Sequence, residues 1–151
     1  MFKKQKTYYK QGIYKPIHKE KYKGDRLPEY RSSWELHLFR WFDGNSNVLE
    51  WTSEHIVIPY VNPFDKKIHR YFVDNTVLIK EGDKTARYLI EVKPKKQTEK
   101  PIQTARKKRR TYENEVKTYV INRCKWKAAQ EWCKHNNYKW QILTEDHLNL
   151  K

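Results

Sequence analysis

YLIEVKP, residues 88–94, sets a glutamate and a lysine two positions apart inside a run that otherwise has the composition of a buried strand. Side chains alternate across a strand, so Leu89, Glu91 and Lys93 share one face and Tyr88, Ile90 and Val92 the other. Pro94 stops the run, since it has no N–H for a ladder. A surface ion pair would account for Glu91 and Lys93, but such a pair contributes little to stability. Leu89, apolar and on the same face, argues against an exposed face.

A second acid lies upstream. HRYFVDNTVLIK, residues 69–80, reads as one strand with Asp74 inside it, where aspartate is disfavoured and asks for a reason. Asp74 precedes Glu91 by seventeen residues with the turn EGDK between them. Two neighbouring antiparallel strands need that spacing to bring both carboxylates together, with Lys93 beside them. Two carboxylates and a peptide carbonyl, such as that of Val92, make a hard oxygen site of the kind magnesium accepts while keeping waters. A metal there lowers the pKa of bound water, and a lysine alongside orients that water or steadies the transition state.

Working outward, RSSWELHLFRWFD gives a first helix over Ser33–Asp43, with Trp34, Leu38 and Trp41 at helical spacing. Ser32-x-x-Glu35 is a capping box, a structural use for Glu35. VLEWTS (48–53) and HIVIPYV (55–61) are strand candidates, and NPFDKK turns the chain into the Asp74 strand. Val116, Val120, Cys124, Ala128 and Trp132 mark one stripe of a second long helix, about 112–135. YKWQILT is a last strand, and Thr144 starts a final helical turn. This order implies a mixed sheet of four or five strands flanked by helices. Five of the six tryptophans, 34, 41, 126, 132 and 140, read as core. No histidine shows metal-ligand spacing, and His69, just ahead of the Asp74 strand, is the one to follow.

The 151 residues suit one domain, 31–151, preceded by an aperiodic, Lys- and Tyr-rich arm, 1–30, read as extended. Lys plus Arg exceed Asp plus Glu by 33 to 18, a formal +15, which predicts a polyanionic partner, nucleic acid first. Residues 93–110 hold nine Lys or Arg against one acid, Glu99. Lys95, Lys96, Arg106, Lys107, Lys108, Arg109 and Arg110 are candidate phosphate contacts, in a loop or a loop with a short helix. There is no apolar run able to span a bilayer, no basic amphipathic terminus and no secretory core at the N-terminus, so no membrane partner and a cytosolic setting are expected. Cys124 and Cys133 are too far apart along one helix to pair and read as reduced thiols.

D-x16-E-V-K preceded by a helix with Ser-x-x-Glu resembles the core of the PD-(D/E)XK nucleases, most closely the TnsA-like branch. YRSSWELHLFRWFD, VLEWTSEHIVIPY, HRYFVDNTVLI, YLIEVKPKKQ, NRCKWKAAQEWC and ILTEDHL, in this order from about Lys21 to Leu150, are similar to the head completion nucleases of large contractile-tailed phages. The resemblance implies an α/β restriction-endonuclease-like fold and Mg²⁺- or Mn²⁺-dependent hydrolysis of DNA. It places the family's helix acid on Glu35, its motif aspartate on Asp74 and its acid–lysine pair on Glu91 and Lys93. Asp74, Glu91, the Val92 carbonyl and Glu35 would then be the metal-facing set. Asn122 and Lys125, one helical turn apart, would face the cleft, with Lys125 against DNA. Val73 stands where the motif has proline, and Asn75 where an apolar residue is usual, so the far face of that strand is expected to be less buried. The implied role is finishing packaged heads, by trimming DNA ends before tail attachment, in the host cytoplasm and then in the virion beside capsid, portal or neck proteins. Alternatives are a non-catalytic DNA-binding virion protein on a nuclease scaffold, and a resolvase or transposon-end endonuclease that dimerises on branched DNA.

Overall fold

In the computed structural model, residues 11–148 are described. The chain runs β1 (Gly12–Ile13), β2 (Glu29–Tyr30), α1 (Ser33–Gly44), β3 (Val48–Ser53), β4 (Val57–Val61), β5 (Ile68–Phe72), β6 (Asn75–Glu81), β7 (Lys84–Val92), α2 (Lys95–Thr98), α3 (Arg109–Asn136), β8 (Lys139–Leu143) and α4 (Glu145–Leu148). The central sheet has the order β3-β6-β7-β8. Its first three strands are antiparallel, and β8 joins β7 in parallel after the α3 crossover. This is the mixed, helix-flanked sheet that the sequence implies, with four strands. Among the described residues no helix is long and apolar enough to cross a membrane.

Two cores form, one on each side of the sheet. Leu38, Phe39 and Phe42 of α1 pack with Val48, Trp51, Val77 and Ile90. Trp126, Ala129 and Cys133 of α3 pack with Leu89, Val73, Ile58 and Tyr71. Leu89 and Ile90 therefore face opposite cores, as the alternation of residues 88–94 requires.

Four expectations need correction. The run 69–80 is two strands: β5 pairs with β4 in a separate hairpin while β6 belongs to the central sheet. Asp74 lies at the joint between them and not inside a strand. Asn75 is 1% exposed, and its amide donates to the Thr52 carbonyl at 3.1 Å, so that face is fully buried. Trp41 is 45% exposed because the buried side of α1 is carried by Leu38, Phe39 and Phe42. On α3 the buried seam is Asn122, Trp126, Ala129 and Cys133. A row of residues four apart drifts about 40° per step around a 3.6-residue helix, so the stripe read from Val116 to Trp132 leaves the core face.

The described part of the N-terminal arm, residues 11–30, is tied to this body. Asp43 at the end of α1 accepts from the Tyr14 hydroxyl (2.6 Å) and from the amides of Ile17 (2.7 Å) and His18 (2.9 Å). Lys21 Nζ caps the helix by donating to the carbonyls of Asp43 and Asn45. Tyr22 bridges Trp51 on the outer edge of β3, with main-chain bonds from Lys23 to Trp51 and from Trp51 to Lys21. The arm thus covers a sheet edge that would otherwise offer unpaired backbone groups. Residues 1–10 of the arm lie outside the described residues.

Candidate active site

The turn that joins β6 to β7 sets the site. Glu81 pairs with Lys84, leaving the two-residue loop Gly82-Asp83, and Gly82 has φ +61°, the backbone that a tight hairpin asks of glycine. From this turn the register runs to Asn75↔Ile90. One position further, Asp74 comes level with Glu91, on the face that looks toward α3. Asp74 Oδ2 accepts the main-chain N–H of Val92 at 2.8 Å, which fixes the carboxylate against the strand carrying Glu91.

Glu91 is 3% exposed. Its Oε2 accepts from the Tyr71 hydroxyl at 2.5 Å, and its Oε1 lies 3.4 Å from Lys93 Nζ. Burial raises the pKa of Asp74 well above the ordinary carboxylate range, and the charge of Glu91 adds to this. The Val92 amide and Lys93 oppose the rise without cancelling it. Burial likewise raises Glu91 against the pull of Lys93, the Tyr71 hydrogen bond and Lys125. Half-buried Asp74 and buried Glu91 are therefore crowded together, and the charge of Glu91 raises the cost of ionising Asp74.

Lys125 arrives from α3. Its ammonium lies 5.5 Å from the ring centroid of Tyr71 and 5.7 Å from that of Tyr60, within cation–π range. Burial and the charge of Lys93 lower its pKa, while Glu91 and Asp74 hold it up, so all four charged groups share one space. Asn122, one turn earlier, is 6% exposed. Glu35 stands at the margin: its charge reaches Asp74, but its carboxylate accepts the Arg31 amide at 2.6 Å, while its own amide donates to Ser32 Oγ at 3.2 Å. The capping role read from the sequence is thus occupied, with the back-bond falling on Arg31.

Among the described residues, no three His, Cys, Asp or Glu side chains gather closely enough to form a complete protein metal cage. The donor set still fits a magnesium-like ion. Such ions take one or two carboxylates and keep several waters, and a cation between Asp74 and Glu91 would relieve the repulsion and burial that raise both pKa values. Val92 ends β7 with its N–H given to Asp74, which puts its carbonyl in the same short stretch.

The basic run divides by partner. Lys95 is bound to α4, its amide donating to Glu145 and its ammonium 3.2 Å from Asp146. Lys107 donates to the Ile102 carbonyl and to Glu115, both at 2.7 Å, and straps the 99–108 loop to α3. Arg109 pairs with Glu113 at 3.0 Å. Lys96, Arg106, Lys108 and Arg110 form no ion pair among the described residues. Beneath the strap a cavity of about 820 Å³ runs along α3, bounded by Lys96, Lys100, Thr118, Tyr119 and, at the end next to Lys125, Asn122.

Tyr71 and Tyr60 belong to this site, and neither is marked in the sequence, where an aromatic in a strand reads as packing. His69 bonds Asp65 within the β4–β5 turn and is no part of it.

The family described as TnsA-like endonuclease N terminal matches residues 45–145, a span that includes Asp74, Glu91, Lys93 and Lys125 and leaves out Glu35. The chain is 41% identical over 143 residues to the head completion nuclease of Enterobacteria phage T4, an alignment covering 91% of this chain and 92% of that protein. Matched along most of its length in both comparisons, with the motif acids and lysine meeting in space, the chain belongs to the TnsA-like endonuclease family, in the branch of the phage head completion nucleases.

Proposed function

We propose that this protein is a metal-dependent DNA nuclease that acts in phage head completion. The observation that carries the reading is the meeting of half-buried Asp74 and buried Glu91 on one face, with Lys93 and Lys125 turned to the same place. Asp74, Glu91 and the Val92 carbonyl would hold Mg²⁺ or Mn²⁺, which when bound supplies a Lewis acid for the phosphoryl oxygen and a water of lowered pKa. Lys93, tethered to Glu91 and still 29% exposed, can hydrogen-bond the attacking water or a phosphoryl oxygen. Lys125 adds positive charge where the pentavalent state gathers negative charge. Glu35 influences the site through its charge on Asp74.

The +15 charge suits the DNA substrate. Of the candidate phosphate contacts, Lys96, Arg106, Lys108 and Arg110 form no ion pair among the described residues and are available to phosphates, while Lys95 and Arg109 are paired with Asp146 and Glu113. We further propose that it trims DNA ends before tail attachment, in contact with capsid, portal or neck proteins, in the host cytoplasm and then in the virion, a reading that the likeness to a head completion nuclease supports.

The test is cleavage of linear and circular DNA in Mg²⁺, Mn²⁺ or EDTA, comparing the wild type with Glu91→Ala. Metal-dependent cutting that disappears in the variant is expected, and the ratio of linear to circular cleavage reads the need for ends. Equal DNA binding by both proteins with no cutting by either would sink the enzymatic reading.

A further inference from the structure

Three parts of the site meet at Tyr71, a residue that no motif marks. It lies in β5, paired with Ile58 of β4, in the hairpin that stands apart from the central sheet. Its side chain is 4% exposed, packed among Ile58, Val73, Leu89 and Trp126. Its hydroxyl donates to Glu91 Oε2, while Lys93 takes the other oxygen. Its ring face meanwhile carries the ammonium of Lys125.

Each of these contacts limits a freedom that the chemistry cannot tolerate. A glutamate has three side-chain torsions, and the Lys93 contact alone, through a long flexible chain, would let the carboxylate swing. A rigid phenol fixed in a core does not allow that. Lys125 has four torsions, and the two ring faces of Tyr60 and Tyr71 give its ammonium a defined resting place beside the acids.

We propose that Tyr71 is the positioning residue of this site: its hydroxyl holds Oε2 of Glu91 and so fixes the carboxylate beside Asp74, and its ring holds Lys125 toward the same position. The inference rests on the nuclease reading above. Partners that hydrogen-bond a metal-binding carboxylate set its orientation, and their loss costs about 10–100-fold in metal affinity or activity.

The experiment uses the full chain as wild type, Tyr71→Phe and Tyr71→Leu, with MgCl₂ titrated calorimetrically and cleavage followed at several Mg²⁺ concentrations. Tyr71→Phe keeps the ring and the core, so its melting temperature in EDTA is expected to stay near the wild type. Its Mg²⁺ affinity should fall about 10–100-fold, with kcat reduced at low Mg²⁺, partly restored at high Mg²⁺, and KM for DNA unchanged. Tyr71→Leu should in addition lower the salt slope of DNA binding by the share of about one phosphate, as Lys125→Met should. A purely packing role would leave Mg²⁺ affinity and kcat in Tyr71→Phe at wild-type values, and that result overturns the proposal even if Tyr71→Leu fails to fold. A wild type that neither binds Mg²⁺ nor cuts DNA removes the nuclease reading and this inference together. A wild type that does both, matched by Tyr71→Phe, removes the inference alone.

Discussion

Asp74 Oδ2, at the joint between β5 and β6, accepts the Val92 amide at the end of β7, so one acid is fastened to the strand that carries the other. The two carboxylates cannot separate without breaking this bond, and both bear the cost of burial. Asp74→Asn keeps an oxygen for Val92 and removes the charge. Cleavage is expected to fall about 10²–10⁴-fold, the rate equivalent of several kcal/mol of lost charge stabilisation at the phosphoryl group. DNA binding, measured by anisotropy in EDTA, should stay near the wild type. Full activity in Asp74→Asn would remove the metal site.

The same substitution should stabilise the metal-free protein. Both acids bind their protons more tightly in the folded chain than in the unfolded one. Wherever the native state holds more protons, stability falls as pH rises. Melting temperature in EDTA should therefore decline as pH climbs from the ordinary carboxylate range, about 4, through the raised values of Asp74 and Glu91. Asp74→Asn should flatten that decline and melt higher than the wild type at neutral pH. Mg²⁺ should raise the wild-type melting temperature and leave the variant nearly unmoved. Thermal melts at stepped pH, with and without MgCl₂, check both statements.

Glu35 is engaged as a cap and still charges Asp74, and two substitutions separate these roles. Glu35→Gln can accept the Arg31 amide and should melt with the wild type, while cleavage falls about tenfold, the low end for a group acting on a metal ligand from outside. Glu35→Ala loses the cap as well and should cost about 0.5–2 kcal/mol of stability. Denaturant melts and cleavage rates for the pair decide the matter. Unchanged cleavage in Glu35→Gln would confine Glu35 to capping the helix.

The shared register of Asp74 and Glu91 was legible because it is local. It follows from a two-residue turn at Gly82-Asp83 and strict alternation along YLIEVKP. The break after Phe72 was not legible, since it depends on β5 choosing β4 over the central sheet, a choice between distant partners. The same distance hides Tyr71: along the chain it is one more strand aromatic, and only the folded hairpin sets its hydroxyl on Glu91. Charge was legible in amount and not in use. Lys107 and Arg106 are neighbours in one basic run, yet the first is bound inward to Glu115 and the second is exposed.

That division of the basic run can be read out in salt. Replacing Arg106, Lys108 and Arg110 together by glutamine should weaken binding at every DNA sequence and reduce the slope of log K against log salt by about 0.9 for each phosphate no longer neutralised. Melting temperature should hardly move. Lys107→Gln should do the reverse, loosening the 99–108 loop from α3 and raising its proteolytic sensitivity before it alters the salt slope. An unchanged slope in the triple variant would mean that these three cations face only solvent.

Asp43 makes the arm part of the fold, and acid should undo it. Burial works against its ionisation, but the Tyr14 hydroxyl and the amides of Ile17 and His18 outweigh burial and hold its pKa below the ordinary value. The unfolded chain then binds the proton more readily than the folded one. Stability from Asp43 is therefore complete above the ordinary carboxylate range and is lost as pH falls through the depressed folded value. Asp43→Ala leaves the Tyr14 hydroxyl and the amides of Ile17 and His18 without their acceptor and should lower the melting temperature at pH 7. It should also release residues 11–30 to proteases, because Lys21 and the Tyr22–Trp51 bridge would be the main remaining ties to the body. Intact mass after brief trypsin digestion, with melts from neutral pH to pH 3, tests both effects. A protease-resistant Asp43→Ala with wild-type acid stability would show that the arm holds to β3 without its carboxylate.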